Sequence, residues 1–272
     1  MKTHRRAVAF ALALCIVSFA GASAQETKKP FTPVEGQAGR DVVWVPTPFV
    51  LVEKMLDMAK VTPQDFVMDL GSGDGRNVIG AARRGARALG VEYNPDMVEL
   101  SRQLAVEAGV SDKATFVQGD MYEADVSKAT VLALFLLTEN MDRLAPKFLT
   151  MRPGTRIVSN GFTITGWATE AMERAEGNCG SWCTSYLYLV PANVAGAWRL
   201  GAGELTLEQT AQLVHGTLAT GDHGTPVQDG KLSGEHIRFS VGDTKYEGRV
   251  EGNTMGGAMS GARTGAWTAT RK

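Results

Sequence analysis

The 272-residue chain has little of what builds metal centres or nucleic-acid surfaces: four histidines, three cysteines, and no stripe or cluster of lysine and arginine. Without a basic face, a DNA or RNA substrate is disfavoured. The Gly-Lys-Ser/Thr of a phosphate-cradling loop is missing, which argues against a nucleoside triphosphate. No apolar run reaches the roughly 20 residues that a comfortable membrane-spanning helix needs. Compositional bias toward disorder is also lacking, and 44% hydrophobic residues supply a real core, in a chain long enough for one large domain or for one domain plus a small appendage.

The N-terminus reads as an export signal at residues 1–24. MKTHRR is positive, Ala7 to Ala20 is apolar or small except for Ser18, and Ala22-Ser23-Ala24 offers small residues to a peptidase. An uncleaved leader anchoring the chain at a membrane is the alternative. Arg5-Arg6 hints weakly at a twin-arginine route. Without Lys2, Arg5 and Arg6, 25 basic residues face 29 acidic ones, about −4 in net charge. Of the cysteines, Cys179 and Cys183 in GNCGSWC then remain; an even count in an exported protein permits a disulfide. His215, His223 and His236 are far from them in sequence, so no metal site is expected.

Residues 25–40 are polar, with Pro30 and Pro33, and read as a disordered lead-in. Thr47-Pro48 signals a helix start, with Phe49, Val52, Met55, Leu56 and Ala59 on one face. Strands are then expected at 66–70, 88–92, 114–118, 130–136, 155–160 and 185–190. Helices fall between them at 77–84, 95–108 and 140–148. Apolar strands alternating with helices indicate an α/β, Rossmann-like parallel sheet covered on both faces, over residues 41–192. Residues 193–272 differ. Six short alternating segments, at 204–209, 212–218, 235–241, 245–251, 254–260 and 266–271, read as an antiparallel β meander near the lower size limit for folding alone. Trp198 and Trp267 read there as exposed, without ligand chemistry.

The chemistry concentrates in VMDLGSGDGR, Val67 to Arg76: a strand running into a glycine turn and then a helix. In such sheets ligands sit beyond the carboxyl ends of the strands, and glycines let the backbone approach them. A dinucleotide fingerprint would place a third glycine where Arg76 stands. A nucleoside with a cationic amino-acid tail fits better. Asp69 and Asp74 can face the ammonium and sulfonium of S-adenosylmethionine (SAM). Glu92, 23 residues after Asp69 at the next strand's end, can accept from both ribose hydroxyls. Asp120, after the third strand, can accept from the adenine amino group, with Met121 against the ring. The expected cofactor contacts are therefore Asp69, Gly71, Ser72, Gly73, Asp74, Gly75, Glu92, Tyr93, Asp120 and Met121.

DLGSGDGR, GVEYNP and QGD, in this order and spacing, resemble the motifs of class I, seven-stranded SAM methyltransferases. VPTPFVLVEKML, the LFLLTENMDRL segment and GTRIVSNGFTITGW bring the chain nearer to the small protein-lysine methyltransferases related to the ATP-synthase c-subunit and adenine-nucleotide-translocase enzymes, in an exported bacterial form with a C-terminal β module. The resemblance implies SAM as cofactor, Asp69, Gly71, Gly73, Glu92 and Asp120 as its contacts, and Pro46 and Thr47 near the methyl donor. One departure stands out. Where relatives often carry a histidine or charged residue, this chain has Asn160 and Gly161.

On the acceptor side, Thr47, Glu139, Asn140 and Trp167 are the candidate catalytic residues. Glu139 and Asn140 are placed either to orient an amine or to cap a surface helix; Trp167 either lines the acceptor channel or packs. The Asn-Pro-Pro-aromatic signature of amide or base methylation is absent. The expected activity is methyl transfer to an amine, a protein lysine first. A small-molecule acceptor (lipid or quinone-like, with the β module as lid) and a catalytically silent SAM-binding envelope protein are the alternatives. A monomer, exported to the periplasm or held at the membrane by its leader, is the expected state.

Overall fold

A computed structural model describes residues 31–272; the leader and the start of the lead-in lie outside the described residues. Seven strands form the first sheet: β1 (Phe66–Leu70), β2 (Arg87–Glu92), β3 (Ala114–Gln118), β4 (Val131–Leu134), β5 (Arg156–Asn160), β6 (Ala171–Arg174) and β7 (Thr184–Leu189). Their order is β3-β2-β1-β4-β5-β7-β6, with β1 to β5 parallel and β7 antiparallel to both of its neighbours. The chain order reverses between β1 and β4, so connections diverge there and open a crevice at the strands' carboxyl ends.

Alternating side chains along each strand feed two cores. Val67, Val131 and Val158 meet α1 (Phe49–Met58), α2 (Arg76–Arg83) and α3 (Pro95–Glu107) on one face. Met68, Leu132 and Ile157 meet α4 (Thr138–Phe148) on the other. Asn94 caps α3 by accepting from the Asp96 N–H at 2.9 Å, as its Asn-Pro signal implies. Thr47 does not cap α1: Pro48 is the N-cap, without a side-chain hydrogen bond, and Thr47 is buried. β6 was not foreseen; its AMER run is mostly exposed and carries no apolar pattern.

The lead-in is ordered further back than its polarity suggests. The Gly36 N–H donates to the Trp44 carbonyl at 2.8 Å and the Trp44 N–H to the Gln37 carbonyl at 2.9 Å, tying residues 34–44 into a strap.

The C-terminal segment is a closed barrel, not an open meander. It comprises β8 (Gly196–Leu200), β9 (Gly203–Thr210), β10 (Leu213–Thr220), β11 (His223–Ser233), β12 (His236–Val241), β13 (Thr244–Glu251), β14 (Thr254–Gly261) and β15 (Gly265–Arg271). β15 returns to pair with β8, Arg271 opposite Trp198, so no edge is left for another chain to extend. Six of the strands were expected. β8 and β11 were not, because GAWRL is too short to alternate visibly and β11 is interrupted by Pro226 and by a bulge between Gln228 and Lys231. Nor are the two tryptophans exposed. Trp198 and Trp267 are buried in the barrel core, their indole N–H groups donating to the Val194 and Glu247 carbonyls at 2.7 and 3.0 Å.

The barrel leans on the amino ends of the parallel strands. Ala192, just after β7, donates to the Gly234 carbonyl at 2.8 Å, and the Gln212 amide to the Ala168 carbonyl at 3.1 Å. Gly234 also lies against Gly154, which precedes β5. The crevice is at the opposite ends of these strands, so the barrel is no lid over it.

Candidate active site

The turn after β1 exists in this shape because three of its residues lack a side chain. Gly71, Gly73 and Gly75 have φ of +76°, +54° and +81°, a region L-residues rarely adopt. A Cβ on Gly75 would lie 2.6 Å from the Phe116 ring, and one on Gly73 would lie 2.7 Å from the Trp44 indole nitrogen. The turn is thus packed below by β3 and above by the strap. The Ser72 side chain is tucked down toward Gly90, whose missing Cβ leaves the room, so Ser72 meets the crevice chiefly through its backbone.

Asp69 is fully buried at the end of β1. Desolvation drives its carboxyl up to about 8, against an Asn77 hydrogen bond that lowers it, with Glu92 and Asp74 adding to the rise. One oxygen accepts from the Asn77 amide at 3.1 Å; the other has no partner, and neither has the Asn77 carbonyl oxygen. Both residues line the crevice. Buried polar atoms without partners cost about 1–3 kcal/mol each, so a polar guest is owed there. Asn77 escaped sequence reading because its pairing with Asp69 spans a turn and a helix.

Asp74 lines the same crevice as Asp69 and Asn77. Its carboxylate is held by the Arg76 guanidinium at 2.5–3.2 Å, and Arg76 also donates to the Thr47 carbonyl at 2.6 Å. Asp74 thus stands in the expected crevice with its charge paired to Arg76, and the same guanidinium fixes Thr47 at the rim. Glu92 accepts from the backbone N–H groups of Gly73 and Asn94, both at 2.9 Å, one on each carboxylate oxygen. That grip aims it into the crevice with lone pairs to spare. Asp120 accepts from the Tyr122 N–H at 2.8 Å and pairs with Arg40 of the strap, also at 2.8 Å; Arg40 lies over the Tyr93 ring. Tyr93, Asp120, Met121 and Gly71 line the same cleft.

Beside this polar cleft lies an apolar one, and Phe135 belongs to both. It is lined by Val42, Val43, Val45, Leu136, Phe162 and Trp182. The rings of Phe135, Phe162 and Trp182 stand 5.1 to 6.1 Å apart, centroid to centroid. Asn160 ends β5, two residues before Phe162, fully buried and with neither end of its amide paired. None of these three aromatics was singled out in the sequence, because only the fold brings residues 135, 162 and 182 together.

The expected catalytic residues divide. Thr47 lines the cofactor crevice. Glu139 is exposed on the first turn of α4, and the Asn140 amide donates to the Tyr122 hydroxyl at 2.7 Å. Neither reaches the apolar cleft. Trp167 packs edge-on against Tyr188 in the second core, 5.8 Å between centroids; it is a core residue, and Trp182 is the tryptophan that lines the apolar cleft. Among the described residues no cluster suited to a metal ion occurs.

A seven-stranded sheet of this order, with acids at the ends of three successive strands and unpaired buried acceptors beneath a glycine turn, defines a class I SAM-dependent methyltransferase. Residues 69–171 match the model of the ANTKMT methyltransferase domain. A protein-lysine N-methyltransferase of Saccharolobus islandicus is 41% identical over 153 residues, 55% of this chain and 94% of the relative. The Xenopus laevis lysine N-methyltransferase that acts on the ATP-synthase c-subunit is 31% identical over 128 residues, 47% of this chain and 56% of the relative. The crystal structure of an RNA methyltransferase from Salinibacter ruber bound to S-adenosyl-L-homocysteine is 45% identical, with a TM-score of 0.52, covering 55% of this chain and 96% of that one. The chain belongs to the class I methyltransferase family of these protein-lysine enzymes. Its cofactor is SAM.

Proposed function

We propose that the chain methylates the ε-amino group of a lysine on another protein. The observation that carries this is the apolar, aromatic-lined cleft sharing Phe135 with the cofactor crevice. A lysine must lose its proton before it can attack, and a desolvated pocket without a carboxylate favours the neutral amine. The aliphatic stem fits walls of Val42, Val45, Leu136 and Phe162. Val43 and Leu137 leave apolar surface exposed at the mouth, as a protein acceptor would require and a polynucleotide would not.

In this reading the bound cofactor supplies an electrophilic methyl group. Asp69 and Asn77 hold its ammonium, Glu92 its ribose, and Asp120 with Met121 its adenine. The protein's own part is positioning and exclusion of water. The test is transfer of labelled methyl from SAM into protein, located by peptide mass. Incorporation into lysine, lost in Asp69→Ala, supports the reading; cofactor binding without transfer to any protein sinks it.

The enzyme acts outside the cytoplasm in this proposal. Support comes from the leader and from the Cys179–Cys183 disulfide, a bond that persists in oxidising compartments. N-terminal sequencing of the mature protein with cell fractionation decides between cleavage and an uncleaved anchor.

A further inference from the structure

The GNCGSWC segment is a sequence motif that cofactor binding does not account for, and it ends at the acceptor cleft. Cys179 and Cys183 are bridged, with Cα atoms 5.1 Å apart. Trp182 is one of the three residues between the cysteines, its backbone N–H donating to the Cys179 carbonyl at 2.9 Å. The Ala175 N–H donates to the Cys183 carbonyl at 2.8 Å, tying the loop to the end of the β6–β7 hairpin. From there the indole reaches Phe135 edge-on at 5.1 Å and Phe162 at 5.4 Å. Gly161 makes this possible: a Cβ there would stand 3.1 Å from the Trp182 ring, and its φ is +69°. The glycine that departs from the family's pattern and the tryptophan in the cysteine loop are therefore one arrangement.

We propose that Trp182 is the specificity-determining wall of the acceptor cleft, and that the Cys179–Cys183 disulfide is the frame that holds it there, so that acceptor recognition depends on the redox state of the pair. A loop this short gains little global stability from its cross-link. What the link does is local: with it closed, the backbone on both sides of Trp182 is fixed, and the indole is delivered to one face of the cleft. A dithiol reductant breaks the Sγ–Sγ bond. Each cysteine sulfur takes one electron and one proton, and the two thiols of the reductant become its disulfide. The indole then loses its fixed position against Phe135, while Asp69, Glu92 and Asp120, at the ends of β1, β2 and β3, keep their own hydrogen bonds in the cofactor crevice.

This inference rests on reading the apolar cleft as the amine site. The full-length protein is assayed with labelled SAM and n-butylamine, a mimic of the lysine side chain, and SAM affinity is measured by calorimetry on the same samples. Trp182→Ala is expected to raise KM for the amine about tenfold or more, with SAM Kd within twofold; Trp182→Phe, which keeps a ring, falls between. Cys179→Ser with Cys183→Ser raises KM about three- to tenfold. Dithiothreitol reproduces that rise in the wild type and does nothing further to the double variant or to Trp182→Ala. A tryptophan that merely stabilised the fold would shift SAM affinity alongside KM and would leave the response to reductant intact in Trp182→Ala. Amine turnover indifferent to Trp182 and to dithiothreitol overturns the inference alone. Wild-type protein that binds SAM yet methylates no amine overturns the underlying reading, and this inference with it.

Discussion

Asp69 is a carboxyl whose burial pushes it to about 8, with one oxygen left unpaired in the crevice. The sign of the consequence follows. Between the ordinary carboxylate range and about pH 8 the folded protein holds a proton that the unfolded chain has released, so this residue's contribution to stability falls as pH rises through that window. A cationic guest reverses the preference, because it binds the ionised form. SAM affinity should therefore climb from pH 6 to about 8 and level off above it, with proton release visible as a buffer-dependent heat in calorimetry. Asp69→Asn should lower affinity at least tenfold and flatten the pH dependence. An unchanged profile in the variant would assign the titration elsewhere.

Both ends of β1 are held by specific contacts. The β1–α2 turn has no space for a side chain at Gly75, where φ is +81° and the Phe116 ring occupies the Cβ position. Gly75→Ala should lower Tm by several degrees and abolish SAM binding, whereas Gly109→Ala, with a similar φ but open surroundings, should cost only about 1 kcal/mol by thermal denaturation. At the other end of β1, burial raises the Asp65 carboxyl, yet hydrogen bonds from Thr130, the Thr62 backbone and Arg156, with the Arg156 charge, bring it below its usual value. Stability from this group is present at neutral pH and lost as pH falls through that lowered value. Asp65→Asn should cost about 2 kcal/mol at pH 7, on the scale of a partly buried pair, and less at pH 3 by urea denaturation. A cost equal at both pH values would show that charge is not what Asp65 contributes.

At the scale of the whole molecule, the barrel and the crevice lie at opposite ends of the same strands, joined through Ala192, Gln212 and Gly234. The barrel core is dense, with Trp198 fully buried among Leu205, Leu207 and Ala269. Trp198→Ala should cost about 3–5 kcal/mol and so weaken the barrel. Measured by calorimetry at 15 °C, SAM Kd should nonetheless stay within twofold of wild type. A large loss of cofactor affinity would mean that the barrel supports the crevice through the strands.

Hydrophobic runs of the right length, Asn94-Pro95, and acids placed just after successive apolar strands were local enough to read directly, because strand period, capping and turn chemistry act within a few residues. They determined six of the sheet's seven strands, the cofactor and the positions of Asp69, Glu92 and Asp120; the seventh strand was implied only by the family resemblance. Which side chain faces which was decided only by the tertiary structure. Asp74 is spent on Arg76, Asn77 turns back to Asp69, and Trp167 is core while Trp182 is at the cleft, since these pairings depend on angles between elements that no local pattern encodes. The barrel's closure is of the same kind: Arg271 meets Trp198 across 73 positions of sequence, and a strand's partner is chosen by where the sheet's twist carries it, not by its own residues.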